Sequence, residues 1–137
     1  MSSGKITQLT DGNGTDKLFN GTFDWVYEEE FSCRDGFRWA PDGKGIAYWQ
    51  VDGNKIKDFY MVDNTSNIYS EIIPVEYPKV GDPPSPVKVG VVNINSKKTT
   101  WMDVPGDPAQ HYIIRMEYTP DGKQIVIQQL NLSLIHI

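Results

Sequence analysis

One pattern occurs twice in this chain, and it narrows the possible folds more than any other feature. FRWAPDGKGIAYWQVD at 37–52 is echoed by MEYTPDGKQIVIQQLN at 116–131, an offset of 79 residues. Each copy reads strand, P-D-G-K, strand. The proline fixes its φ, and the glycine permits the positive φ that reverses the chain. In the first return strand, Ile46, Tyr48 and Gln50 fall on one face and Ala47, Trp49 and Val51 on the other. A lone P-D-G-K is common. Two with similar flanks point to repeated antiparallel modules.

The remaining strands are predicted at 5–9, 37–40, 58–62, 87–94 and 99–104, with 68–75 either extended or a decorated loop. The stretch 77–86 holds Pro78, Pro83, Pro84, Pro86 and Gly81, so it can hardly be a helix or a central strand. Twelve glycines, nine prolines and 16 aromatic residues favour short strands over long helices. The 79-residue offset fits one blade enlarged by the proline-rich insertion, or two small blades with a degenerate copy. A closed β-propeller needs about four blades of roughly 40 to 45 residues. At 137 residues the chain is short of that. The expected fold is therefore all-β: an incomplete propeller of roughly two to three antiparallel blades, with a small independent β-sandwich as the alternative.

Charge and motifs remove several functions. The balance is 13 basic to 18 acidic residues, and Lys97-Lys98 is the one adjacent basic pair, so nucleic acid is not an expected partner. Cys33 is the single cysteine, which excludes an internal disulfide and a cysteine metal cluster. Arg34 beside it could lower the thiol pKa, yet nothing else supports a nucleophile. There is no G-x-S-x-G elbow, and SSGKI lacks the Walker pattern. His111 reads as a surface residue, and His136 lies in a tail of doubtful character. No cofactor is called for. Trp39, Trp49, Trp101, Tyr48 and Tyr118 read as sheet core. Sequons begin at Asn13, Asn20, Asn64 and Asn131, and matter only in a glycosylating secretory route.

The stretch DWVYEEEFS, 24–32, stands apart. It is ambiguous between a strand end and a helical turn. As a strand it would place Glu28 and Glu30 on one face; as a helical turn it could let Glu29 and Glu30 converge on one ligand. Adjacent carboxylates repel when poorly solvated, and a cation between them relieves the cost. A primary ammonium, with three donors, suits such a pair. A metal ion is the weaker candidate, because calcium normally takes about six to eight oxygens and no EF-hand spacing is present. A solvated acidic turn is the alternative.

DWVYEEEF, then FRWAPDGKGIAYWQ, then EYPKVGDPPSPVKVGVVNI together resemble the dipeptidyl peptidase IV family of prolyl-specific serine exopeptidases. The resemblance covers most of 20–131. It implies that 1–131 is part of an N-terminal β-propeller of about eight blades, with the acidic run on a short helical insertion. It implies that Glu29 and Glu30 bind the free α-ammonium of a peptide substrate, with Glu28 not a direct ligand. It implies a Ser, Asp and His triad on a C-terminal α/β-hydrolase domain that lies outside this chain, so no catalytic residue is assigned here. Substrates would release Xaa-Pro or Xaa-Ala dipeptides, and the parent would commonly be a homodimer. Its compartment stays open among periplasmic, secreted and membrane-anchored. A catalytically dead scaffold homologue is the competing implication. Two departures stand out. Ser85-Pro86 replaces an asparagine-proline that the family often has, and LSLIHI at 132–137 departs from the expected continuation.

Overall fold

The computed structural model describes residues 4–12 and 15–131, with the side chain of Asn131 outside that description. The tail 132–137 with His136, and the sequon at Asn13, fall outside the described residues. Nine strands and one helix are formed among them.

The P-D-G-K segments fold as alike as they read. Gly43 and Gly122 take φ of 68° and 69°. Their N–H groups donate to Ala40 O and Thr119 O at 2.9 and 2.8 Å. Asp42 and Asp121 each accept from the backbone N–H two residues on, Lys44 and Lys123. The first turn joins β2 (Phe37–Trp39) to β3 (Gly45–Asp52), and the second joins β8 (His111–Tyr118) to β9 (Ile125–Asn131). The repeat is thus the opening hairpin of two successive sheets.

Strand β3 is the spine of the first sheet. It pairs antiparallel along its length with β6 (Val87–Asn93), which in turn pairs β7 (Thr99–Trp101). Along its other edge two short strands lie end to end. β1 (Leu18–Asn20) covers Gln50 to Asp52, and β2 covers Ile46 to Tyr48. One edge strand is therefore interrupted, and residues 21–36 leave through the gap. Gly21 and Gly36 close its neck. Gly21 N–H donates to Trp49 O, Trp49 N–H to Gly36 O, and Gly36 N–H to Gly21 O. A Cβ on Gly36 would meet the Gly21 carbonyl carbon at 2.6 Å, so only glycine lets the two segments pass this closely.

The alternation expected for β3 is the one observed. Ala47, Trp49 and Val51 join Val87 and Val89 in the core, with Phe23, Tyr27, Ile113 and Met116 packed over them. One residue of the second hairpin, Ile113, is held from both sides. A bulge between Ile113 and Arg115 breaks the β8–β9 ladder. Ile113 N–H donates to Tyr27 Oη at 3.0 Å, and Ile113 O accepts from Trp49 Nε1 at 2.7 Å. Between β3 and β6 the chain makes an excursion, β4 (Asp58–Asp63) paired with β5 (Glu71–Glu76) as a separate hairpin. Lys17 ties its base at Asp58 and Glu76, at 2.7 and 3.2 Å. Pro74 fits in β5 because β5 has a single partner strand, which leaves one edge needing no N–H. The 79-residue offset is therefore one blade enlarged by an insertion.

Three expectations change. Residues 5–9 form no strand: the segment pairs with no described strand, and an extended run without a ladder partner is not a sheet element. Trp39 and Trp101 are exposed, whereas Tyr48 and Trp49 are core as expected. His111 is buried, because it opens β8 rather than ending a loop. Its Nδ1 lies 2.7 Å from Gln129 Nε2, which also donates to Pro105 O. Nδ1 therefore accepts and the ring proton sits on Nε2, which is buried without a partner among the described residues. Burial pushes the His111 pKa down against the pull of Asp107, keeping the ring neutral.

Phe37, Trp39, Phe59, Tyr60, Met61, Val62, Ile68 and Tyr69 all show large apolar surface. Expressed as these 137 residues alone, the chain is expected to associate and to melt broadly. Circular dichroism on a size-verified sample checks this; a sharp transition in a monomer overturns it.

Candidate functional site

Helix α1 (Trp25–Phe31) carries the acidic run. Asp24 is its N-cap, with φ −85° and ψ 176°, and its Oδ1 accepts from Tyr27 N–H at 3.1 Å. Ser32 ends the helix in the left-handed region at φ 54°, and Cys33 N–H closes it by donating to Tyr27 O at 3.0 Å. The expected alternatives of strand end and helical turn thus resolve to a helix of seven residues. A helix that short is marginal by itself and has to be held by its surroundings.

Tyr27 does much of the holding. It is fully buried, stacked on Phe23 at 5.1 Å and edge-on to Tyr112 at 5.5 Å. Burial drives its phenol pKa far up, so it stays protonated. With Tyr27 turned inward, Glu28 is half-buried, and Glu29 and Glu30 are exposed. Glu29 and Glu30 lie in the last turn, where the helix dipole disfavours negative charge and no basic residue compensates. Among the described residues no ion pair reaches Glu28, Glu29 or Glu30. The acidic pair thus makes no ion pair, among those residues, that would support the helix that bears it.

Glu30 lines a groove of about 840 Å³. Trp25, Val26 and Phe31 of α1 form one wall, the 77–84 loop another, and Tyr112 and Leu130 of the second hairpin the rest. Glu29 lies outside that lining. Trp25 packs on Tyr77 with ring centroids 4.4 Å apart, and Phe31 on Tyr112 at 5.0 Å. The Tyr112 phenol pKa is raised by burial first, then by the negative charges of Asp24 and Glu30. An exposed carboxylate pair beside an apolar groove can take a small organic cation whose remainder is partly apolar. Among the described residues no group of three or more His, Cys, Asp or Glu is placed to hold a metal ion.

Cys33 does not behave as Arg34 suggested. Burial raises its thiol pKa, outweighing the opposing Arg115 and Arg38, and Sγ lies 3.5 Å from Ile114 O as a weak donor. A thiol reagent at pH 7 is expected to label it more slowly than free cysteine. Labelling at the free-cysteine rate would contradict this.

Sequence reasoning gave Asp24 no role and met Ser85 only as a departure from the asparagine that the family often has. Asp24 precedes the helix as capping residues do, a signal that was available. The contact of Ser85 Oγ with Asp24 Oδ2, 2.7 Å across 61 residues, leaves no such local trace.

A four-position antiparallel sheet followed by the opening hairpin of the next, unclosed and with one short helix, is a run of β-propeller blades. Here the run carries an acidic helix on a glycine neck. Residues 1–132 match the family described as dipeptidyl peptidase IV (DPP IV) N-terminal region, and the chain belongs to it. Dipeptidyl aminopeptidase B of Saccharomyces cerevisiae is 29% identical over 129 residues, covering 91% of this chain and 16% of its own. The crystal structure of Porphyromonas gingivalis dipeptidyl peptidase 4 superposes with TM-score 0.83 and 28% identity, over 91% of this chain and 18% of that one. A Bacteroides ovatus structure matches with TM-score 0.76 and 26% identity, over 90% and 16%. The chain spans under a fifth of the length of these relatives.

Proposed function

We propose that this chain supplies the amine anchor of a longer serine dipeptidyl peptidase, in which Glu29 and Glu30 hold the free α-ammonium of a peptide substrate. The observation that carries the reading is the exposed pair at the dipole-disfavoured end of a firmly held helix, with no cation of the described residues bonded to it. Membership of the family supports the same reading. In it, residues 1–131 are a portion of the propeller and the triad sits on a hydrolase domain elsewhere in the parent.

The chemistry is that of a ruler. An α-amine has a reference pKa of about 7.7–8.0, and two carboxylates favour its protonated form. With the ammonium fixed at a set distance from the nucleophile, only the bond after the second residue reaches it. Release of dipeptides follows from this reading, and proline or alanine as their second residue is what the resemblance to the family implies.

Acylation tests it directly. N-acetylation removes both the charge and the donors. In the complete gene product, a free-amine Xaa-Pro dipeptide is expected to compete against a chromogenic substrate, and its N-acetyl form is expected to fail. Equal inhibition by the two forms rejects the anchor. A complete gene product that hydrolyses neither Xaa-Pro nor Xaa-Ala substrates, yet binds the free amine, favours the scaffold reading.

A further inference from the structure

The acidic helix is attached to the blade by a chain of short, buried contacts, and one hydroxyl stands at its centre. Asp24 is 8% exposed and Ser85 2%. Both oxygens of Asp24 are used. Oδ1 accepts from Tyr27 N–H at 3.1 Å and so caps α1, while Oδ2 accepts from Ser85 Oγ at 2.7 Å. The two bonds serve different ends. The first forms the helix, and the second places it against the proline-rich segment.

That segment is stiff where it matters. Ser85 lies between Pro84 and Pro86. The rings fix φ at both neighbours, and the following proline confines Ser85 itself to extended backbone. Pro86 O accepts from Asp52 N–H at 2.9 Å, and Val87 then enters β6 against β3. A continuous path therefore runs from the spine strand through Pro86, Ser85 and Asp24 into the first turn of α1. The preceding part of the same segment, 77–84, is the wall of the groove that Glu30 lines from the other side.

We infer that Ser85 and Asp24 form a latch that positions Glu29 and Glu30 against the groove, making both positioning residues for capture of the substrate amine. The inference rests on the amine-anchor reading. With the latch broken, the Oδ1 cap persists and α1 stays helical. Its first turn is then free to shift against the 77–84 wall, and the carboxylates five and six residues on shift with it. Poor geometry at one charge-assisted hydrogen bond costs about tenfold or more in capture. The loss falls on binding shared by ground and transition states, so it appears in KM while kcat is kept.

The test uses the complete gene product and a free-amine Xaa-Pro substrate. Ser85→Ala is expected to raise KM about tenfold, with kcat within about twofold. Ser85→Thr, which keeps the hydroxyl, is expected to restore KM. Should Ser85→Ala fail to give soluble protein, Ser85→Cys removes the strong donor at nearly equal size and carries the same comparison. A latch acting through the acidic pair makes the losses non-additive, so Ser85→Ala is expected to add little in a Glu30→Gln background. Strict additivity, a fall in kcat alone, or no rescue by Ser85→Thr overturns the latch. Glu30→Gln effective with Ser85→Ala silent also overturns the latch and leaves the anchor standing. Glu30→Gln silent overturns the anchor, and the latch with it.

Discussion

In the complete gene product, Glu30→Gln is expected to lower kcat/KM for a free-amine Xaa-Pro substrate by about 10- to 150-fold, the equivalent of one charge-assisted hydrogen bond of about 1.5–3 kcal/mol. The substitution is nearly isosteric. It keeps one oxygen acceptor and removes the charge, so the loss reports charge pairing rather than shape. Its effect on stability should have the opposite sign. Glu30 is exposed, sits beside Glu29, and lies in the last turn of α1 where negative charge is disfavoured. Thermal stability is therefore expected to hold or rise slightly as capture falls. Steady-state kinetics and a melt on the same preparation decide it. Equal kcat/KM for the two proteins rejects the assignment, and a parallel fall in melting temperature would mark Glu30 as structural instead.

Trp49→Ala is expected to be the most damaging core substitution, at about 3–5 kcal/mol. Trp49 is 1% exposed at the centre of β3. Its ring packs edge-on to Phe23 at 5.3 Å, and Nε1 donates to Ile113 O across the junction between the sheets. Truncation leaves a large cavity and a buried carbonyl without that donor, two penalties that add. Because Tyr27 Oη holds the N–H of the same residue, loosening this junction also loosens α1. Trp49→Phe fills most of the volume without the donor and should fall between. Denaturant unfolding of the complete gene product, followed by far-UV circular dichroism, measures the propeller transition. An unchanged midpoint for Trp49→Ala would remove Trp49 from the centre of this account.

Much of the scaffold was legible because it is local. A proline, an aspartate and a glycine in four residues make a hairpin turn wherever they occur, and both copies did so. Alternation in β3 was legible because a strand has period two, whatever packs on it. The proline-rich stretch was excluded from helix and central strand by its missing N–H groups. The acidic helix was only half legible. Seven residues do not hold a helix by propensity, so DWVYEEEF stayed ambiguous until Asp24, Tyr27 and their partners were seen together. His111 was misread for the converse reason: its neighbours Pro108, Ala109 and Gln110 look like a loop, while its burial comes from the strand that it opens.

By itself, then, the sequence determined the hairpin repeat, the faces of the spine strand and the presence of an acidic run, since each depends on residues within a few positions of one another. Only the tertiary structure decided that the edge strand is interrupted by a helix on a two-glycine neck. It alone decided that the backbone N–H and C=O of Ile113 are both held by side chains, and that Ser85 meets Asp24. Those contacts span 86, 64 and 61 residues. A hydrogen bond between distant residues leaves no periodicity in either segment, so it becomes readable only when the chain has brought its two ends together.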